Sequence, residues 1–253
     1  MKVDSGLLRK LKASGIANLA RRGRCMAGAL VGRDVYCRPQ LLKTKEVHGG
    51  RPLTGYGSWT ICPEGITPQS IVYSVGVGDD ISFEISLIRS YGLPVLFAFD
   101  PTPTAISWLS GQHAPNEFRL FQYAIAEYDG IAKLFPHDNP DWVAHSLIPR
   151  QATASQAVEV QVRTLPTVML ELGHDRVDLL KMDIEGAEYA VIDNLLREGV
   201  DVRQLLVEFH HHDHHTDGMS AERTKKAVQK LNRAGFKIFH VTPRGEEYSF
   251  IRS

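Results

Sequence analysis

The sequence predicts an α/β fold: a mostly parallel sheet with helices on both faces and an antiparallel hairpin at its C-terminal end. Three observations predict it. From residue 70 onward, short apolar strand-like runs alternate with helical runs. Val177 to Leu180 is apolar and β-prone, as a buried strand requires. Phe236 to Val241 and Glu247 to Ile251 are separated by Pro243-Arg244-Gly245, a link short enough to imply a hairpin.

The elements follow in order. Residues 1–69 read as an N-terminal helical and irregular appendage. Leu7, Leu8, Leu11 and Ile16 fit one helix face, and 49–68 is rich in Gly and Pro. Tyr56 and Trp59 either cover a ligand or anchor a loop on the core. Residues 70–253 form the α/β domain. Ile71 to Val75 is its first strand, followed by a helix over Ile81 to Ser90 that stops at Gly92 and Pro94. Val95 to Phe99 is the second strand, ended by Asp100-Pro101, and a helix follows at Thr104 to Leu109. Phe118 to Ala124 is the third strand, with further strands at Ile131 to Phe135 and Val158 to Val162. The polar segment between these two is long enough for a flap. Val177 to Met182 is the fourth main strand, with a helix through about Arg197, and Gln204 to Phe209 is the fifth. Ala221 to Ala234 is a helix with Gly235 past its end.

Bulk composition narrows the partners. Lys plus Arg equal Asp plus Glu at 29 each, so no global field draws the chain to nucleic acid or to anionic membrane. The three cysteines, Cys25, Cys37 and Cys62, form no disulfide framework and no paired metal spacing, which suits a cytoplasmic protein. No run approaches the ~18 apolar residues of a membrane span. The basic start reads as an amphipathic helix rather than a targeting signal.

The chemistry gathers at strand ends. Val75-Gly76-Val77-Gly78 follows the first strand and opens the first helix, where glycines let the backbone approach a ligand. The next strand ends in Asp100, placed to take both hydroxyls of a ribose. A dinucleotide fingerprint wants a small residue where Ile81 stands, and a pyrophosphate would meet Asp79 and Asp80. NAD and FAD are therefore disfavoured, and a cationic adenosyl ligand without phosphate fits; a phosphate-binding or purely structural glycine turn is the other reading. Asp183 and Glu185 sit where the fourth strand hands over to a helix, the end at which open α/β sheets bind ligands.

Four segments, in this order, resemble FkbM-type methyltransferases: Tyr73 to Gly78, Phe99 to Pro103, Leu180 to Glu188, and Val207 to His210. The block Lys181-Met182-Asp183-Ile184-Glu185-Gly186-Ala187-Glu188 is the most specific. The resemblance spans roughly residues 56–253. It implies a class I, Rossmann-like, seven-stranded fold that binds S-adenosylmethionine and methylates a hydroxyl of a sugar or natural product. By that resemblance Gly76 and Gly78 flank the methionine part of the cofactor, Asp100 the ribose, and Ala124 and Ile125 the adenine. Asp80 and Ser82 lie close by, and Asp183 faces the reaction centre. Ser74 stands where many such enzymes carry an acid; its hydroxyl can accept from an ammonium group, without a full charge.

The acceptor, a small molecule or glycan, must give up a proton. Asp183, Glu185, Glu208 and His210 are the candidates, with His210 suited by its intrinsic pKa. The run His210-His211-His212-Asp213-His214-His215 holds five of the eleven histidines. It admits three readings: a divalent metal site with Asp183 and residues such as His210 and His211, a single base at His210, or a solvated loop. A different class of protein, a non-catalytic domain binding a nucleotide or a partner on this fold, is the alternative.

Overall fold

A computed structural model of the chain describes residues 42–47, 58–139, 142–211 and 220–252, with a few positions between 19 and 27. The elements in chain order are β1 (Lys45–Val47), β2 (Trp59–Ile61), β3 (Val72–Val75), α1 (Ser82–Tyr91), β4 (Leu96–Phe99), α2 (Pro103–Ser110), β5 (Phe118–Phe121), β6 (Ala124–Ile125), β7 (Gly130–Pro136), β8 (His145–Ser146), β9 (Val158–Arg163), α3 (Leu165–Leu172), β10 (Val177–Met182), α4 (Glu188–Arg197), β11 (Val202–Glu208), α5 (Ala221–Arg233), β12 (Phe236–Val241) and β13 (Glu247–Arg252). The Leu7 to Ile16 helix face, Cys25, Cys37, Tyr56 and His212 to His215 lie outside the described residues.

The main sheet is mixed and has seven strands in the order β12-β13-β11-β10-β3-β4-β5. The four pairs from β11 to β5 are parallel, and β13 runs antiparallel to both of its neighbours. All six residues of β10 are buried, because the sheet is covered on both sides. On one side Tyr73, Val75, Leu180, Met182 and Val207 pack with Val168 of α3, Val191 and Leu195 of α4, and Val228 and Leu231 of α5. On the other, Val72, Ala98, Leu179 and Leu206 pack with Phe83 and Leu87 of α1, Leu109 of α2, and Trp59 and Ile61 of β2. The chain leaves β3 toward β4 and β5, then returns to lay β10 and β11 on the other flank. The switch point therefore lies between β3 and β10, where such sheets open a crevice at their carboxyl ends.

Two expectations change. The third strand ends at Phe121, and Ala124 and Ile125 instead pair with Val162 and Arg163 in a separate four-stranded sheet, order β6-β9-β7-β8. Residues 59–61, read as irregular, form β2. Its neighbour Cys62 receives the Gln204 side chain through both backbone groups, at 2.9 and 2.7 Å. One helix, α3, is absent from the sequence reading. Its signals are Thr164, whose side chain accepts from the Thr167 amide, Pro166 in the first turn and Gly173 just past the end.

Candidate active site

Three strand tips are knotted together. Beyond the strand ends, Gly76 N donates to Phe99 O (2.9 Å), Asp100 N to Phe121 O (3.1 Å) and Asp183 N to Val75 O (3.0 Å). Gly76 and Gly78 take φ of +77° and +56°. Gly76 is pressed onto the β10 tip; no heavy atom of the described residues lies within 4 Å of a Cβ built on Gly78, so among them space opens in front of the second glycine. Asp100 is 4% exposed and holds the turn: one oxygen accepts from Val77 N (2.9 Å) and Gly78 N (3.0 Å), the other from Thr102 N (2.9 Å). Asp80 accepts from the amide and hydroxyl of Ser82 as α1 begins. Gly76, Asp100 and Asp183 thus surround one place. Ala124 and Ile125 are buried in β6, where they pair with Val162 and Arg163.

Beneath the glycine turn is a buried charged group that the sequence reading missed. Ser74 Oγ donates to Glu84 Oε1 at 2.5 Å, and Lys181, cross-strand from Ser74, donates to Gly76 O and lies over the Trp59 ring. Trp59 is therefore a core anchor. Burial raises the pKa of Glu84, opposed by the Lys181 charge and the Ser74 hydrogen bond. Ser74 carries no charge, but α1 brings a carboxyl group to it.

The second half of the site is an acidic ring around His210. His210 Nδ1 lies 2.8 Å from Glu188 Oε1, while Nε2 lies 3.6 Å from both Asp183 Oδ1 and Glu185 Oε2. Glu188 is fully buried and its Oε1 also accepts from the amides of Ile184 (3.1 Å) and Gly186 (3.2 Å). Glu185 takes φ of +55°, the one non-glycine left-handed conformation among the described residues, in the turn between β10 and α4. Ser146 of β8 donates to its carbonyl at 2.5 Å, and the buried Arg150 stands 4.0 Å from its side chain. The flap expected between β7 and β9 therefore closes on the β10 turn. Farther along it, Trp142 stacks on His137 at 4.4 Å. Glu208 lies opposite Glu247 in the β11–β13 register.

Crowding sets the protonation. Burial, then Asp183, pushes Glu208 well above the usual carboxylate range. Burial likewise takes Glu247 to about 8 and Glu185 to about 7, although His210 pulls Glu185 down. Burial opposes charge on His210, but Glu188, Glu185 and Asp183 hold its pKa well above that of a free imidazole. The expectation of a His210 base poised near neutrality is therefore altered: the ring is held as a cation. The metal-ligand expectation changes too. Asp183, Glu185 and His210 bring ligand atoms within 4.8 Å of one another, while His211 is buried outside that group. Glu247 and Glu188 went unrecognised as members of the site; the hairpin register opposite Glu208 was the available signal for the first.

The family model of the methyltransferase FkbM domain matches residues 28–238. The chain belongs to the FkbM methyltransferase domain family. The probable methyltransferase-like protein 24 of Rattus norvegicus is 29% identical over 185 residues, covering 69% of this chain and 43% of that protein. Its Homo sapiens namesake is 29% identical over 180 residues, covering 68% of this chain and 42% of that protein. The chain thus spans less than half the length of these curated relatives. Among solved structures, methyltransferase FkbM from Methylobacillus flagellatus KT aligns with a TM-score of 0.44 at 13% identity, covering 73% of this chain and 44% of that one. Among the described residues, no helix is long and apolar enough to cross a membrane.

Proposed function

We propose that this FkbM-family chain is an S-adenosylmethionine-dependent methyltransferase acting on a hydroxyl of a sugar or natural product. The observation that carries the reading is the meeting of Gly76, Asp100 and Asp183 at the switch point between β3 and β10, the crevice position of such sheets. The residues suit a cationic adenosyl ligand. The space before Gly78 is open, Asp79 and Asp80 repel a pyrophosphate, and Asp80 Oδ2 is buried without a hydrogen-bond partner among the described residues. Ser74, backed by Glu84, answers for the missing acid at the β3 end.

The cofactor supplies an electrophilic methyl group on a sulfonium; the chain supplies alignment and a proton acceptor. Asp100 fixes the glycine turn and stands near the expected ribose. By the family resemblance Ala124 and Ile125 border the adenine. Asp183, partly exposed at the β10 tip, is the favoured acceptor of the hydroxyl proton, with Glu208 behind it. His210, held cationic, orients these carboxylates rather than acting as the base. The flap, tied down through Ser146 and Arg150, borders the acceptor and is where its identity would be read.

Calorimetry with S-adenosylmethionine and S-adenosylhomocysteine tests the proposal. Both should bind, and Asp100→Ala should weaken both. Failure of either to bind would leave the alternative, a non-catalytic domain on the same fold.

A further inference from the structure

Resting on that reading, we infer that Asp183 Oδ1, Glu185 Oε2 and His210 Nε2 bind one divalent cation whose open positions receive oxygens of the acceptor. The two carboxylates come from the turn after β10 and the imidazole from the turn after β11, so ligands from adjacent tips converge.

The distances favour an ion over direct bonding. Nε2 stands 3.6 Å from each carboxylate oxygen, beyond the ~3.2 Å limit of a good hydrogen bond. Donors sharing an ion at ~2.2 Å stand about 3.1 Å apart around an octahedron, so each of these gaps needs to close by only about half an ångström to hold one. The ring is already aimed: its other nitrogen is held by Glu188, whose oxygen is fixed in turn by the amides of Ile184 and Gly186. A carboxylate behind the imidazole is the arrangement that orients metal-binding histidines.

A second observation points the same way. Glu188 is fully buried, and its Oε2 has no hydrogen-bond partner among the described residues. A buried carboxylate oxygen beside His210 with no donor is costly unless positive charge sits nearby. A proton on His210 supplies that charge in the metal-free protein, and an ion at Nε2 would take the place of that proton. Two carboxylates and one imidazole, with no sulfur, suit an ion of the Mn²⁺ or Mg²⁺ type. Three protein ligands leave positions for the acceptor. An acceptor with two adjacent oxygens, such as a vicinal diol or an α-hydroxy acid, would chelate there.

The test uses the full chain freed of metal by EDTA and dialysed, with Mn²⁺ as probe, read by loss of the free-ion electron paramagnetic signal. Binding of S-adenosylhomocysteine is measured on the same samples. One Mn²⁺ per chain should bind. Asp183→Asn and Glu185→Gln should each weaken it at least tenfold, and Glu188→Gln by roughly 10–100-fold, with circular dichroism unchanged. An undiminished free-ion signal at millimolar Mn²⁺ would overturn the inference. So would binding that all three variants retain, since the ion would then sit elsewhere, as on the histidine run. Homocysteine-product binding without Mn²⁺ binding would remove the ion and leave the methyltransferase reading standing; the reverse would remove that reading and keep the ion.

Discussion

The backbone of Gly76 rests on the backbone of Asp183: a Cβ at position 76 would stand 1.8 Å from the Asp183 carbonyl oxygen. Gly76→Ala must therefore part the β3 and β10 tips as well as adopt a left-handed φ of +77°. Gly78→Ala meets open space and faces only the conformational cost, about 1–2 kcal/mol. Thermal denaturation should show Gly76→Ala losing at least ~3 kcal/mol and most cofactor affinity. Equal, small losses in the two variants would contradict the contact.

Asp100 is a structural acceptor before it is a ligand. Its carboxylate serves three backbone amides, those of Val77, Gly78 and Thr102. Asp100→Ala leaves these donors unmatched and should cost about 2–5 kcal/mol. Asp100→Asn keeps one oxygen and should cost less. Cofactor affinity should fall in step with the melting temperature across the pair. Lost affinity at an unchanged melting temperature would instead mean that Asp100 acts by ribose contact alone.

How much of this was legible depended on range. Local signals carried far: Gly92, Gly235 and the apolar run Val177–Met182 marked elements that the structure keeps within a residue or two. The two glycines and two carboxylates of the site were also visible, because chain ends of parallel strands are where ligand chemistry concentrates. What stayed hidden was pairing across distance. Nothing local at Ala124 says that the strand breaks after Phe121 and joins β9, since that choice depends on a partner 38 residues away at Val162. Glu84 carries no local signal of its role. Only the approach of α1 to β3 reveals it as the carboxyl group behind Ser74. The His210 pKa was misjudged for the same reason: a free imidazole value ignores three carboxylates that arrive from the turn after β10 and the start of α4.

Lys181 and Glu84 should behave as a unit. Lys181 is 5% and Glu84 1% exposed, and Lys181 is the main charge opposing the burial of Glu84. Lys181→Met strips that charge and the support of the Gly76 carbonyl, and should cost about 3–5 kcal/mol. Adding Glu84→Gln should recover part of the loss. Urea denaturation of the four species gives the coupling energy; strict additivity would show that the two groups do not sense each other.

The acidic ring should make the metal-free protein less stable as pH rises. Glu247 moves from an ordinary 4.5 to about 8 and Glu185 to about 7, so between those values the folded state holds protons that the unfolded chain has lost. Stability falls with pH wherever the folded state binds more protons. The penalty is absent below 4.5 and complete once pH has passed the folded values. His210, raised from 6.5, adds to the same slope: its contribution is full below 6.5 and is lost as pH climbs through its folded value. The melting temperature in EDTA should therefore drop from about pH 5 to above pH 8, and Glu247→Gln should flatten that drop up to about pH 8. A melting temperature that climbs over this range would mean that the ring is not crowded in solution as it is here.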